Sequence, residues 1–422
     1  MEFNARKRTE LEEIEDRILA PWGVKSAGHN KTRQTEENEH DYRTNFQRDR
    51  DRIIHSRAFR RLKHKRQVFL TTTGDHYRTR LTHTLEVVQL SRTLARSLGV
   101  NEDLTEAIAL GHDLGHTPFG HIGEVALDRI LKGKDHLDGI LDTQDYGGFK
   151  HNYQSVRIVD RLEKKYKFDG LNLTTVVREG ILKHTRLILK HISYPDWQND
   201  ILKMEVQNSQ SVEGQIVSIC DEIAQRTHDL EDGLRAGFVN AKEVRKLPIV
   251  QLAENQQDLI EEFGGADVEY FNVLIKKLIN LLVTDVISTT LENLQVYYER
   301  NETLLPFNVL LVNFSTGIYP LQAELDRFIT RRIIRRPGIG WTDEMAIDVI
   351  RKLFKIYLKK PGEMRSFPTH QFFSRYTSVP DSHLNPKLRD PVNDEFIRLI
   401  ADYIAGMTDR FAMQEFERLV EK

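Results

Sequence analysis

The segment that decides the fold is AIALGHDLGHTPFGHIGEVAL, residues 107–127. It places three His, one Asp and one Glu in the 13 positions from His112 to Glu124, in a chain with 16 His among 422 residues. His112 and His116 are four residues apart, and His121 and Glu124 are three apart, so each pair can share one face of a helix. Imidazole and carboxylate groups together bind divalent metals. A single His more often caps a helix or satisfies a polar group in the core, but the whole set favours a metal or acid–base site.

Helices are predicted on both sides of this segment, because apolar residues recur every three or four positions. Upstream, Gly99 can end one helix and Asn101 can cap the next. Downstream, Pro118 can take the first position of a new helix, and a long helix is predicted from about Val212 to Leu234. The first of these helices is expected to pack through an apolar stripe formed by Leu81, Leu85, Val88 and Leu94. The protein is therefore expected to be all-α.

Length and composition limit the class of protein. A chain of 422 residues is long enough for two or three domains, and a hydrophobic content of 39% excludes wholesale disorder. The helical spacing of apolar residues is least regular after Phe238. We therefore expect one domain over residues 1–240, and a mostly helical C-terminal region over residues 241–422 that provides packing and oligomer contacts.

Charge, cysteine content and hydropathy add three expectations. The chain has 61 basic and 63 acidic residues and a net charge of -2, so any attraction for nucleic acid must come from a local patch. Cys220 is the only cysteine, which excludes an intramolecular disulfide and is typical of a reducing compartment. No stretch supplies the roughly 20 apolar residues of a membrane-spanning helix, and the first residues lack the apolar core of a secretory signal. We expect a cytoplasmic protein without a membrane partner.

Further metal ligands must come from other helices, because one helical turn cannot surround a cation. His83 lies off the apolar stripe of its helix. Small or apolar neighbours such as Cys220 and Ala224 indicate that the polar stripe of the long helix faces a cleft. A buried carboxylate there should be paired or bound to metal, since an isolated buried charge is costly. The members of this stripe are Ser218, Asp221, Gln225, His228 and Asp229.

The order His83, His112-Asp113, Asp221 resembles the metal-dependent HD phosphohydrolase superfamily. Four segments resemble its dGTPase-like branch, the deoxynucleoside triphosphate triphosphohydrolases: YRTRLTHTLEV, GHDLGHTPFGHIGE, GGFKHNYQSVR and DEIAQRTHDLED. The upstream RDRDRIIHSRAFRRLKHKRQVF and the downstream IAGMTDRFA are also similar to that branch. The resemblance is close up to about residue 240 and looser beyond it.

This resemblance implies an all-α HD-domain helical bundle with an additional helical C-terminal region. It implies that a divalent ion (Mn, Mg, Fe, Co, Ni or Zn) is bound with one open position. It also implies that water attacks the α-phosphorus of dGTP or several dNTPs, which releases a deoxynucleoside and inorganic triphosphate. His121 and Glu124 match the His and the acid that the family uses to activate water and move protons. The implied metal ligands are His83, His112, Asp113 and Asp221.

The resemblance also implies substrate contacts. Arg80 lies three residues before His83, and an Arg there is suited to clamping a phosphate. The chain departs from the family pattern at one position, because many relatives place a Tyr against the deoxyribose where this chain has Gln225. A Gln can bind a hydroxyl group but offers no aromatic face. The positions that match sugar or phosphate contacts are Gln67, Arg80, His116, His151 and Asp229.

Partners and alternatives follow from the same features. Nine Lys or Arg against two Asp between Arg48 and Arg66 predict either a phosphate or single-stranded nucleic-acid surface, or the solvated face of amphipathic helices. By analogy with relatives we expect a homo-oligomer, a tetramer or a hexamer, with an activating nucleotide. Two other functions stay open: an HD phosphohydrolase of nucleoside monophosphates or signalling nucleotides, and a nucleic-acid-binding regulator with a vestigial HD site. An intact triphosphate product would exclude the first of these, and no turnover of any dNTP would favour the second.

Overall fold

The computed structural model describes residues 5–28, 32–65, 78–185, 208–255, 267–300, 309–335, 343–364 and 394–420. Within these ranges the regular structure is sixteen α-helices with short 3₁₀ and π turns, and no β-strand is formed; Lys164 and Gly170 form an isolated β-bridge. None of these helices is both long enough and apolar enough to cross a bilayer. The expectation of an all-α fold is confirmed. Gln67 lies outside the described residues.

The helices follow one another along the chain as α1 Arg8–Ile18, α2 Asn45–Ile54, α3 Arg57–Arg61, α4 Arg80–Leu98, α5 Glu102–Gly111, α6 Gly120–Leu131, α7 His151–Arg157, α8 Thr175–Leu182, α9 Val212–Arg235, α10 Ala241–Val244, α11 Pro248–Asn255, α12 Asp267–Arg300, α13 Ile318–Ile329, α14 Asp343–Lys359, α15 Asp394–Ala405 and α16 Asp409–Val420. Helices α7 and α13 each continue into a π turn, over Ile158–Leu162 and Thr330–Ile334.

The ends of α4 and α5 are set by their capping residues. Thr79 accepts a hydrogen bond from the backbone NH of Thr82 and begins α4. Gly99 ends that helix in the left-handed region, with φ 68°, a conformation that costs glycine little. Asn101 then accepts a hydrogen bond of 3.1 Å from the backbone NH of Leu104 and begins α5. The predicted turn between these two helices is confirmed.

Helix α6 begins two residues later than its sequence predicts, so the prediction that Pro118 takes the first helical position is wrong. Phe119 precedes the helix in the left-handed region, with φ 62°, which is rare for a bulky residue. The tertiary structure holds it there. Its side chain is buried, and its backbone NH donates a 3.0 Å hydrogen bond to Asp409 at the start of α16. A long-range contact therefore decides where α6 starts.

Two hydrophobic cores hold the helices. The first core is built mainly from α2, α4, α5, α8, α9 and α11–α13. The second core joins α6 and the loop after it to α14, α15 and α16. The first core contains residues from both sides of residue 240, such as Leu234 and Val244. The division of the chain at residue 240 therefore stays a prediction.

Buried polar contacts connect the C-terminal helices to α7 and to the loop after α5. Asp402 on α15 accepts hydrogen bonds of 2.8 to 3.0 Å from the guanidinium of Arg157 and one of 2.9 Å from Gln154. The ammonium of Lys65 donates to the backbone carbonyl of His116 and, at 3.0 Å, to that of Ala405. The loop that carries His112 and His116 is thereby supported from behind by α15.

We expect Asp402→Ala to lower the free energy of unfolding by about 3–5 kcal/mol, because it removes the carboxylate from a buried guanidinium. Urea unfolding followed by circular dichroism measures the change. The control is Asp348→Ala, which breaks an exposed ion pair with Lys352 on α14 and should cost less than about 1 kcal/mol. Equal effects of the two substitutions would contradict the structural role of Asp402.

Candidate active site

Four side chains from three helical elements converge at one point. His83 projects from α4, His112 and Asp113 follow the end of α5, and Asp221 lies in α9. The Nε2 atom of His83 is 2.9 Å from Oδ1 of Asp221, and Nε2 of His112 is 3.5 Å from Oδ1 of Asp113 and 3.7 Å from Oδ1 of Asp221. The structure therefore brings together all four residues that were expected to bind metal.

Glycines allow the loop that carries two of these residues to approach its neighbours closely. A Cβ on Gly115 would overlap the backbone of His151 and Ser155 in α7. Without that Cβ, the backbone NH of Gly115 donates a 2.8 Å hydrogen bond to the hydroxyl of Ser155, which donates in turn to the carbonyl of His112 at 2.7 Å. The HDLGH turn is thus fixed against α7.

The hydrogen bonds of His112 leave one ring nitrogen available. Its Nδ1 lies 2.6 Å from the carbonyl oxygen of Ala109 and donates to it, so the neutral ring presents a lone pair at Nε2. That Nε2 is buried and has no hydrogen-bond partner, although two carboxylates lie near it. Burial opposes protonation, but Asp113 and Asp221 outweigh it and raise the pKa of His112 to about 9, so without a cation Nε2 would take up a proton. A metal ion between the two carboxylates would take the place of that proton and use the lone pair.

A divalent ion suits these donors, because imidazole nitrogen and carboxylate oxygen are the ligands of Zn, Fe and Mn. One ligand atom each from His83, His112 and Asp113 lies within 4.8 Å of the others. His83 and His112 would bind through Nε2, and the two Asp residues through Oδ1. Burial opposes ionisation of Asp113 and Asp221. The surrounding His residues nevertheless hold the pKa of both carboxyl groups well below the usual range, so both are ionised.

A cationic group and a second imidazole flank Asp113. Nη1 of Arg80 is 2.9 Å from Oδ2 of this carboxylate, and Nε2 of His116 is 3.0 Å from Oδ1. Nε of Arg80 and Nδ1 of His116 are buried and have no hydrogen-bond partner. The ring of His116 stacks on that of His151, with 3.9 Å between the ring centres. These three residues, expected to contact substrate, therefore lie beside the residues that are expected to bind metal.

Glu124 organises the other side of the site. Its Oε2 accepts hydrogen bonds from the backbone NH of His151 at 2.9 Å and from its Nδ1 at 2.6 Å, and its Oε1 accepts one from Lys150 at 2.6 Å. Nδ1 of His121 is 3.6 Å from Oε1. Burial opposes ionisation, but His151, His121 and Lys150 hold the pKa of Glu124 far below its usual range. The side chain of His121 is 73% exposed, so it can meet a ligand that arrives from solvent.

Two other predicted substrate contacts lie on α9. Gln225 is exposed. Asp229 is buried near Asp232, Asp326 and Arg78; burial, with the two neighbouring carboxylates, raises its pKa to about 8. A role of either residue in binding substrate stays a prediction.

His184, directly after α8, is a residue of this site that the sequence did not single out. Its Nδ1 donates to the carbonyl of Ile181 at 2.7 Å, and its Nε2 is 3.2 Å from Nε2 of His151. Burial and the neighbouring His residues lower its pKa to about 3. The sequence around it, GILKH, offers only a lone His after an apolar helix, which does not distinguish a site residue from a core residue.

Comparison with known proteins gives matches over most of the chain. Residues 80–226 match the family described as HD domain, and residues 312–418 match the phosphohydrolase-associated domain. Three curated relatives carry the description deoxyguanosinetriphosphate triphosphohydrolase-like protein. The one from Cereibacter sphaeroides is 37% identical over 95% of this chain and 100% of its own length. Those from Ruegeria sp. and Geobacter metallireducens are 39% and 38% identical, over 92% and 96% of this chain and 95% of each relative.

Proposed function

Because the chain belongs to the deoxyguanosinetriphosphate triphosphohydrolase-like family and carries an HD domain, we propose that it hydrolyses deoxynucleoside triphosphates to a deoxynucleoside and inorganic triphosphate. We propose dGTP or several dNTPs as substrates and a divalent metal ion as the cofactor. The observation that carries the proposal is the buried Nε2 of His112, which lacks a hydrogen-bond partner between two carboxylates and beside His83.

The metal centre would be formed by His83, His112, Asp113 and Asp221. When bound, a divalent ion supplies positive charge beside the reacting phosphoryl group and makes a neighbouring water more acidic. The protein fixes the four donors on three elements, and the Ala109 carbonyl sets the tautomer of His112. Such a prearranged set of donors lowers the cost of ordering the site during the reaction.

Arg80 would hold the triphosphate. It bonds to Asp113 through Nη1 and keeps a buried Nε–H without a partner, so it can gain a phosphate oxygen without first losing a partner. His116 is neutral and gives its Nε2–H to Asp113, so its Nδ1 would accept a hydrogen bond from a hydroxyl group of the substrate. Contacts of this kind would hold the α-phosphate close to the metal centre. A fixed orientation of this kind contributes to catalysis by making the attack of water effectively unimolecular.

His121 would act on the leaving group. In the reaction, a bond forms between the water oxygen and the α-phosphorus, the bond from that phosphorus to O5′ breaks, and O5′ takes up a proton. His121 is exposed enough to reach a bound ligand, and Glu124 lies 3.6 Å from its Nδ1, so its Nε2 is directed away from the carboxylate. An imidazole so oriented can deliver the proton to O5′ as a general acid.

The test is a product analysis. The protein is incubated with each of four dNTPs and four NTPs in the presence of Mn²⁺, in water enriched in ¹⁸O, and the products are separated and weighed by mass spectrometry. We expect deoxynucleoside and inorganic triphosphate, with ¹⁸O in the triphosphate alone. Nucleoside monophosphate with pyrophosphate, or ¹⁸O in the nucleoside, would contradict the proposed cleavage.

The same assay, extended to nucleoside monophosphates, signalling nucleotides and pairs of nucleotides, decides between the proposed function and its alternatives. Turnover of monophosphates or signalling nucleotides in place of dNTPs would favour the first alternative, and no turnover, even with a second nucleotide as activator, would favour the regulator. The ratio of dNTP turnover to NTP turnover measures how strictly the site selects deoxyribose when Gln225 stands in place of the Tyr of many relatives. We propose that dNTPs remain preferred.

The predicted nucleic-acid surface gains little support from the contacts of the basic run. Arg50 pairs with Asp103 at 2.8 Å, and Arg52 is buried and pairs with Glu37 at 2.8 Å. Because these two Arg side chains already have carboxylate partners, the contacts favour the other interpretation, in which the basic run belongs to amphipathic helices. Assembly into a tetramer or hexamer and activation by a nucleotide stay proposals, which light scattering with and without added dNTP can test.

A further inference from the structure

Behind His83, on the side away from Asp113, lies a second buried imidazole. Nδ1 of His83 is 3.4 Å from Nδ1 of His228, and the ring centres are 5.5 Å apart. The other nitrogen of His228, Nε2, contacts the Oε2 carboxylate oxygen of Glu86, which also lies 3.3 Å from Nε of Arg78. Glu86, His228 and His83 therefore form a continuous chain that ends at Asp221, 2.9 Å from His83 Nε2.

The two helices that supply metal ligands also supply this chain. Glu86 follows His83 by three residues on α4, and His228 follows Asp221 by seven on α9, so each pair shares one helical face. Helices α4 and α9 pack directly against each other through the first core. The spacing explains how residues 145 positions apart in sequence come into hydrogen-bond contact.

With both imidazoles neutral, the contacts along the chain have one consistent direction. An ionised carboxylate can only accept, so Glu86 requires a proton on Nε2 of His228. A neutral His228 then presents a lone pair at Nδ1, and this lone pair requires a proton on Nδ1 of His83. A neutral His83 consequently presents its lone pair at Nε2, toward the carboxylate of Asp221. Two acceptors 2.9 Å apart repel each other unless a cation lies with them.

We propose that Glu86 and His228 form a relay that fixes the tautomer of His83, so that its Nε2 lone pair is always available to the metal ion. His228 and Glu86 are positioning residues, since neither reaches the substrate or the ion. The relay also increases the electron-donating strength of His83, because its Nδ1–H bond is directed toward a negative charge. This inference rests on the proposed metal centre.

Two substitutions at His228 separate the relay from simple packing. Oδ1 of an Asn occupies the place of Nδ1 in His and can accept from His83, whereas the amide of a Gln ends near the place of Nε2 and leaves His83 without an acceptor. We expect His228→Asn to bind Mn²⁺ within about threefold of the wild-type affinity. His228→Gln, although closer in size to His, should bind about 10- to 100-fold more weakly, the usual cost of losing a group that orients a metal ligand.

The affinity for Mn²⁺ is measured on the metal-stripped full chain by competition with a chelating dye, and the melting temperature of the stripped protein reports on folding. The control is His136→Gln, at an exposed His in the loop after α6, which should leave the affinity unchanged. Equal affinities for the Asn and Gln variants, whether both wild-type or both reduced, would overturn the relay. If the wild-type protein itself binds no Mn²⁺, the proposed metal centre and the relay both fail.

Discussion

Asp221→Ala is expected to abolish metal binding and dNTP hydrolysis together. The carboxylate of Asp221 approaches both His83 and His112, so its removal takes away the donor that α9 contributes to the centre. A metal ion stabilises the transition state of such reactions by several kcal/mol. Because about 1.36 kcal/mol of activation free energy is tenfold in rate, the rate should fall by at least about 10³-fold. Metal content by mass spectrometry and release of inorganic triphosphate measure the two effects. Asp113→Ala should behave in the same way.

The neighbouring Glu222 provides the matched control. It lies on the same helix but forms an ion pair of 2.8 Å with Arg226, and its side chain is 48% exposed. Glu222→Ala should therefore keep both the metal and the activity. If Asp221→Ala retained the wild-type metal content, or lost the metal but kept the rate, the ion would not be bound by these residues or would not serve the reaction.

The helices around the site could be predicted because their signals are local. Gly99 and Asn101 act within a few residues, and the structure uses both as expected, Gly99 to end α4 and Asn101 to cap α5. The predicted apolar stripe of α4 was less accurate, since Leu85 is 50% exposed while His83 is buried. Helix α4 turns a polar position toward the site, and hydrophobic periodicity does not report such a position. The start of α6 was missed for a related reason, because a contact with Asp409 sets it.

The four residues that are expected to bind metal could be recognised because their residue types and order resemble a family pattern, and the structure places all four together. The contacts of the neighbouring side chains could not be predicted in this way. The sequence placed His228 on the polar stripe of its helix but did not indicate its partner. Glu86, His228 and His184 meet their partners only through helix packing, over sequence separations of up to 145 residues. A lone His in a helix has the same local sequence whether it fills a core or orients a ligand. Only the tertiary contacts distinguish the two.

His121→Ala is expected to keep the metal and lose about 10²- to 10⁴-fold in kcat, the range that a positioned general acid contributes. The reason is geometric. His121 is not among the side chains that approach His112, its side chain is exposed, and its described carboxylate contact is with Glu124, 3.6 Å away. Removal of the imidazole should leave the four donors in place while O5′ departs without a proton. Metal content and single-turnover hydrolysis of dGTP test the two parts separately.

The position of Glu124 sharpens this expectation. Its carboxylate is held by Lys150 and by two bonds from His151, so it stays fixed when His121 is removed, and His116, stacked on His151, keeps its place. The loss should therefore appear in kcat with little change in KM, as for an interaction made only in the transition state. His136→Ala, at an exposed His outside the site, is the matched control and should change neither constant. Full activity with full metal content in His121→Ala would refute proton transfer by His121, and loss of metal would instead assign it to the metal centre.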